Sequence, residues 1–218
     1  MSTHRGYDLM CPIARALDRV GDRWTLLILR DLHAGPARFT DLETGLGTAS
    51  NLLSSRLRDL SDDGLVARAE DGQYALTSIG EHTAPLILEL SNLGLLFDAP
   101  PKPKQPGNLR TVYLPLKAVL RSAPVWPELR ARLVVDDESF TVHSSPSDLT
   151  VHYNDYDSTV DTVLSTSYEA IMAISDGELT LDQFLDNLEV ITGHQSARTF
   201  IDLFRAGAIA RSGAAAPT

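Results

Sequence analysis

FTDLETGLGTASNLLSSRLRDLSDDG, residues 39–64, decides how the rest of the chain is read. It divides into two helices around a break. Phe39–Thr44 forms a short helix that packs on Leu42. Gly45 and Gly47 weaken a helix and permit the positive-φ geometry of a sharp turn. Thr48 or Ser50 then offers an N-cap oxygen to the next helix. In that helix Leu52, Leu53, Leu57 and Leu60 recur at helical spacing and mark the buried face. The opposite face holds Ser50, Asn51, Ser54, Ser55 and Arg58. Small hydroxyls, an amide and a guanidinium are side chains that hydrogen-bond base edges in a DNA major groove. A helix-turn-helix sets its second helix there, N-terminal residues foremost. The plainer reading is a solvated polar face on a helical bundle, and the flanks decide between the two.

Upstream, Cys11-Pro12 opens a helix, because proline is tolerated at the first helical position. Ile13, Ala16, Leu17 and Val20 give it one apolar stripe, and Gly21 stops it. Asp22 caps a second helix, apolar on most sides at Trp24, Leu26, Leu27, Ile28, Leu29 and Leu32, which belongs at the centre of a core. Downstream, Leu65–Ala69 and Gln73–Thr77 alternate about Asp71-Gly72, a hairpin signal. A hairpin directly after a recognition helix is the wing of a winged helix-turn-helix. Thr77 or Ser78 caps a long helix to about Phe97, with more leucine than one core needs. The excess predicts a second apolar surface for a dimer partner.

These pieces resemble the HxlR-type regulators, a MarR-related family of winged helix-turn-helix dimers. The matching elements are Cys11-Pro12, the run Gly21-Asp22-Arg23-Trp24-Thr25-Leu26-Leu27-Ile28-Leu29-Arg30, Gly35-Pro36 with Phe39, Leu53-Ser54 with Arg56-Leu57 and Leu60, Gly64-Leu65-Val66, and Leu76-Thr77 with Gly80. They span residues 11–94. The resemblance implies dimerisation through the first and last helices, the Ser50–Arg58 face in the major groove, and the hairpin tip along a minor groove. The DNA-contacting candidates are Arg38, Thr48, Ser50, Asn51, Ser54, Ser55, Arg56, Arg58, Arg68 and Gln73, with Arg38 reaching for a phosphate. The implied operator is pseudo-palindromic double-stranded DNA with half-sites about one turn apart. Two features depart from the family pattern. The wing is short with Glu70-Asp71 at its tip, and residues 1–97 contain no lysine. Both predict weak non-specific binding and a shallow dependence on salt.

Cys11 precedes a helix N-terminus, where the partial positive charge favours thiolate. It is therefore a redox-sensing candidate; the alternative is a small hydrophobe in the dimer seam. It is the only cysteine, so no internal disulfide forms, which fits a reducing cytoplasm. The 218 residues, 43% hydrophobic, suffice for one or two real cores, and the net charge of −10 argues against non-specific nucleic-acid or membrane-surface binding. Neither a membrane-length apolar run nor a leader pattern is evident, so a soluble cytoplasmic protein is expected.

Residues 1–97 are thus read as the winged, mainly α, DNA-binding and dimerisation domain. Four prolines mark residues 98–108 as a semi-rigid connector. Residues 109–211 form an α+β domain, and 212–218 a tail. In the second domain a helix at Val112–Ser122 precedes four alternating runs, around Leu129–Val135, Phe140–Val142, Leu149–Tyr153 and Val160–Leu164. Their close spacing predicts an antiparallel sheet. Helices at Tyr168–Ser175, Asp182–Asn187 and Ser196–Ala206 follow, with a short strand Leu188–Ile191 before the last. This order, with Thr159–Thr166 and Tyr168–Thr180, resembles the sterol-carrier-protein-like fold, which implies an apolar tunnel for a hydrophobic small molecule. The lining candidates are Phe140, Val142, Tyr168, Met172, Phe184, Phe200 and Phe204; each could equally fill the core.

No cofactor or metal is expected. His143 and His152 could meet across strands but lack a third ligand at suitable spacing. No phosphate loop or nucleophile elbow is present, so no enzyme is read. The expectation is a homodimeric transcription regulator modulated by a hydrophobic ligand. Its rival is a lipid-binding protein whose winged domain contacts protein.

Overall fold

The computed structural model describes residues 6–97 and 108–212. They divide into two compact units, residues 6–94 with 108–111 and residues 95–97 with 112–212. The proline-rich segment expected at 98–108 lies outside the described residues except for Asn108, and so does the tail beyond Ser212.

The first unit begins with α1 (Pro12–Val20) and α2 (Arg23–His33). Pro12 starts α1, and the Asp22 carboxylate caps α2 by accepting from the Trp24 backbone N–H at 2.9 Å. α3 (Phe39–Leu46) ends at Gly47, whose φ of 60° is the left-handed geometry that turns the chain. Then come α4 (Ser50–Asp62), β1 (Val66–Arg68), β2 (Tyr74–Leu76), α5 (Ser78–Glu81) and α6 (Ala84–Gly94). The hairpin is antiparallel, with Val66 opposite Leu76. Ala37 adds a short bridge to Tyr74 through two backbone hydrogen bonds, which ties the wing to the segment entering α3. Ile28, Leu29, Leu42, Leu53, Leu57 and Leu60 are all at most 1% exposed and form the centre of this unit.

Two local expectations change. α4 has Ala49 at its N-cap and no side-chain cap; the Ser50 hydroxyl instead donates to Glu43, and the Thr48 hydroxyl is buried without a partner. The long helix expected from Thr77 to Phe97 is two helices. Thr77 caps α5 through the Gly80 N–H, His82 ends it, and Pro85 lies in the first turn of α6. Gly80 sits so close to the Leu65 carbonyl that a β-carbon would lie 2.2 Å from its oxygen, which presses α5 onto the segment between α4 and β1.

The second unit contains α7 (Arg110–Ser122), whose first two residues belong to the first unit, then β3 (Leu129–Val135), β4 (Glu138–Ser145), β5 (Asp148–Tyr153), β6 (Thr162–Thr166), α8 (Tyr168–Ser175), α9 (Leu181–Asp186), β7 (Glu189–Thr192) and α10 (His194–Ser212). The sheet order is β5-β4-β3-β6-β7. β3, β4 and β5 form the expected meander, but β6 pairs parallel with β3, so the sheet is mixed rather than antiparallel. The reason is the connection Asn154–Asp161, which crosses one face of the sheet to reach the far edge of β3. Arg132 donates to the Ser158 carbonyl at 2.8 Å and the Thr141 hydroxyl to the Asp155 carbonyl at 2.7 Å, holding this crossing down. Ala131, Leu133, Val135, Phe140, Val142 and Leu164, all at most 3% exposed, point to the other face, towards α7 and α10.

Gly207 on α10 packs against α7, where a β-carbon would stand 1.9 Å from the Val119 carbonyl oxygen. Alanine in mid-helix ordinarily gains up to about 1 kcal/mol over glycine. Here overpacking reverses the sign, and Gly207→Ala is expected to lose ~1–3 kcal/mol of stability. Chemical denaturation followed by circular dichroism checks this; a variant as stable as the parent would contradict the close helix contact.

Candidate functional site

α4 divides cleanly into two faces. Leu53, Leu57 and Leu60 are sunk in the core, while Ser50, Asn51, Ser54 and Arg58 are exposed and Ser55 is half-buried. Asn51, Ser54, Ser55 and Arg58 follow the i, i+3, i+4, i+7 spacing of one helical face. This face presents an amide, two hydroxyls and a guanidinium. The Asn51 carbonyl oxygen accepts the Leu52 backbone N–H at 2.8 Å. Arg38 is exposed at the N-cap of α3, its backbone N–H on Asp41 at 3.0 Å.

Three candidates sit differently from their sequence reading. Arg56 is drawn back into the unit, its Nε 3.2 Å from Asp22 and its Nη1 3.0 Å from Asp59. With its side chain 23% exposed, it clamps the cap of α2 to the end of α4. Thr48 turns its hydroxyl inward. Gln73 spends its amide on Asp71 at 2.7 Å, inside the hairpin tip. Arg68 remains exposed on the wing, stacked over Tyr74 at 5.6 Å. Cys11 is the half-buried N-cap residue of α1.

Apolar side chains remain uncovered on the flanking helices. Leu86, Leu90 and Leu93 are 43%, 41% and 50% exposed along one stripe of α6, and Ile13 and Leu17 are 70% and 45% exposed on α1. Stripes of this kind are where helices receive a partner.

Asp31 on α2 is fully buried in the first unit, paired with Arg30 at 2.7 Å and accepting the Asn108 amide. Burial pushes its carboxyl above the ordinary value of 3.8, outweighing the lowering by Arg30, Asn108 and Arg110. The folded chain therefore holds this proton to higher pH than the unfolded chain does. The group favours folding as pH falls towards 3.8 and opposes it near neutrality. Asp31→Asn, which mimics the protonated form, is expected to compare better with the parent at pH 7 than at pH 4. Urea denaturation at the two pH values checks this; a variant that falls further behind at pH 7 would contradict it.

In the second unit an apolar cavity of about 410 Å³ lies between helices and sheet. α7 contributes Val112, Pro115, Leu116 and Val119, α8 contributes Ile171, Ile174 and Ser175, and Leu133 of β3 also lines it. Leu181 and Phe184 of α9 and Phe204, Ala208 and Ile209 of α10 complete the lining. Of the seven lining candidates from sequence, Phe184 and Phe204 are here, with ring centroids 6.2 Å apart. Phe140, Val142 and Phe200 instead fill the core, each at most 1% exposed, because the inner sheet face and the α10 face closest to it carry them. Tyr168 and Met172 on α8 are half-buried and do not line the space. α7 supplies the largest share of the lining not expected from sequence, four of eleven residues; the i, i+3, i+4, i+7 run of Val112, Pro115, Leu116 and Val119 is the signal for it. Water, which needs several polar partners, is a poor filling for an apolar lining.

His143 and His152 do approach, with ring centroids 6.1 Å apart. Among the described residues no three His, Cys, Asp or Glu side chains converge to hold a metal ion, and no helix is long and apolar enough to cross a membrane.

Comparison with known proteins places the similarity on the first unit. The family model described as HxlR-like helix-turn-helix matches residues 19–100. An HTH-type transcriptional regulator of Mycobacterium tuberculosis is 42% identical over 88 residues, covering 38% of this chain and 56% of its own length. The chain thus spans little more than half of that relative. The HTH-type transcriptional regulator YvaP of Bacillus subtilis is 36% identical over 90 residues, 38% of this chain and 83% of its own. Among solved structures, quinone-bound YodB of Bacillus subtilis is similar over 40% of this chain and 100% of its own, at 29% identity and a TM-score of 0.38.

Proposed function

The chain belongs to the HxlR-like helix-turn-helix family, and from that premise we propose that it is a homodimeric, DNA-binding transcription regulator modulated by a hydrophobic ligand in its second unit. The observation that carries the reading is the outward face of α4. Asn51, Ser54 and Arg58, exposed, and Ser55, half-buried, share one outward stripe backed by leucines that fix the helix rigidly. Ser50 to Arg58 enter the major groove, Arg38 approaches a phosphate, and Arg68 is the wing's contact. Arg56 acts from behind, holding α4 to the α2 cap.

The uncovered stripes of α1 and α6 supply the dimer surface, which presents α4 in duplicate to a pseudo-palindromic operator. Few cations contribute, so affinity rests on base contacts more than on counterion release. The cavity of the second unit receives the ligand, and a tenfold change in operator affinity would require only about 1.4 kcal/mol of coupling.

A gel shift with DNA from upstream of the gene, run beside multi-angle light scattering, tests the reading. Two chains per operator, displaced by specific but not by scrambled DNA, is the expected result. Equal affinity for both DNAs would favour protein rather than DNA as the partner of the winged unit.

A further inference from the structure

The cavity of the second unit carries information about charge as well as size. Twelve of its lining residues are apolar, and the hydroxyl of the thirteenth, Ser175, is used within α8, donating to the Ile171 carbonyl. No lining side chain can neutralise a negative group. The surroundings sharpen this. Between Arg132 and Arg198 the chain contains no Lys or Arg but thirteen Asp and Glu. Two walls of the cavity, α8 and α9, come from this stretch, and residues 168–186 carry five of the acids: Glu169, Asp176, Glu178, Asp182 and Asp186. Asp176 and Asp182 directly follow the lining residues Ser175 and Leu181, and both are exposed.

On the other two walls, the cations within the spans of the lining residues, 112–119 and 204–209, already have partners. Lys117 of α7 lies over the Tyr113 ring at 5.2 Å and donates to its hydroxyl. Arg205 of α10 is paired with Asp182 at 3.1 Å and with Asp202 at 3.5 Å. Arg211 is not free either. An anionic amphiphile would therefore bring its charge towards Asp176 and Asp182, while of the nearby cations Arg205 is neutralised by carboxylates and Lys117 is held on the neutral Tyr113 ring; Coulomb repulsion from the acids and desolvation would both oppose it.

We infer that the cavity between α7, α8, α9 and α10 takes an uncharged or positively charged lipophile and excludes anionic ones. Scaled from a cavity of roughly 150 Å³ that holds one benzene, the space admits an apolar body of about fifteen to twenty heavy atoms. The Phe184 and Phe204 rings line the space, where aromatic rings favour an aromatic body or a cationic group beside it. The inference rests on the proposed ligand role of this cavity, and its test separates the two.

A matched pair of dyes serves. N-phenyl-1-naphthylamine is neutral; 8-anilino-1-naphthalenesulfonate has the same aromatic body with a sulfonate. Both are titrated into the full chain by fluorescence, alongside Ile174→Asp, which places a charge in the lining, and Glu178→Lys, a charge reversal at an exposed residue in the turn between α8 and α9. The expected result is one neutral dye per chain, at least tenfold tighter than the sulfonate. Its binding should be lost in Ile174→Asp, and sulfonate affinity should rise several-fold in Glu178→Lys with the neutral dye unchanged. Glu178→Lys does not disturb the lining, so it remains informative if Ile174→Asp misfolds. Sulfonate binding as tight as that of the neutral dye, still dependent on Ile174, would overturn the charge selection and leave the ligand role standing. Binding of neither dye would overturn both.

Discussion

Replacing Asn51 and Arg58 together by alanine is expected to weaken operator binding about 100- to 1000-fold, at ~1–3 kcal/mol for each base-reading side chain. Both side chains are exposed and neither supports the core, so the melting curve should stay where it is. The double variant should also lose its preference for specific over scrambled DNA, because what remains is phosphate contact. Arg56→Ala is the instructive contrast. It leaves Asp22 and Asp59 without their shared cation, and Asp22 is the cap of α2. Its effect should fall on stability, with specificity for the operator retained in the folded fraction. Fluorescence anisotropy with a labelled operator separates the two outcomes. A double variant that still distinguishes specific from scrambled DNA would remove α4 as the reading element.

A second large effect is expected from charge placed on the uncovered stripe of α6. Leu90 and Leu93 are 41% and 50% exposed, so neither is needed to complete the unit's own core. Leu90→Glu with Leu93→Glu should leave the fold intact and convert the proposed dimer to monomer at micromolar concentration, since burying two carboxylates in an apolar seam costs several kcal/mol. Operator affinity should fall at least 100-fold with it, because each half-site then binds alone and the effective concentration of the second contact is lost. Sedimentation velocity reads the association state directly. A double variant that still sediments as a dimer would place the seam elsewhere, with the exposed Ile13 and Leu17 of α1 as the next surface to alter.

Much of the first unit was legible because its signals are local. Pro12, Gly21 and Asp22 punctuate α1 and α2, the leucine spacing fixes the buried face of α4, and Asp71-Gly72 fixes the hairpin. Failures occurred where distant residues decide. Arg56 looks like one more cation on a polar helix until Asp22, far upstream, is seen to claim it. The split between α5 and α6 is marked locally by Pro85 in the first turn of α6, but the Gly80–Leu65 contact that seats α5 is one no helical period reveals. Strand alternation located β3 to β6 but carries no information about which edge β6 joins, and so the parallel pairing was missed. An apolar side chain has the same pattern whether it fills a core or lines a void. Phe140 and Phe200 therefore read as lining residues although they fill the core, and Val119 reads as a core residue although it lines the void.

Hydroxyl-radical footprinting on the upstream DNA tests the central claim most directly. Two protected patches, related by a dyad and centred about one helical turn apart, are expected for a pair of α4 helices in successive major grooves. Both should vanish together in Asn51→Ala/Arg58→Ala. Protection that is continuous along the backbone, or that persists unchanged in that variant, would show that the outward face of α4 does not read the operator.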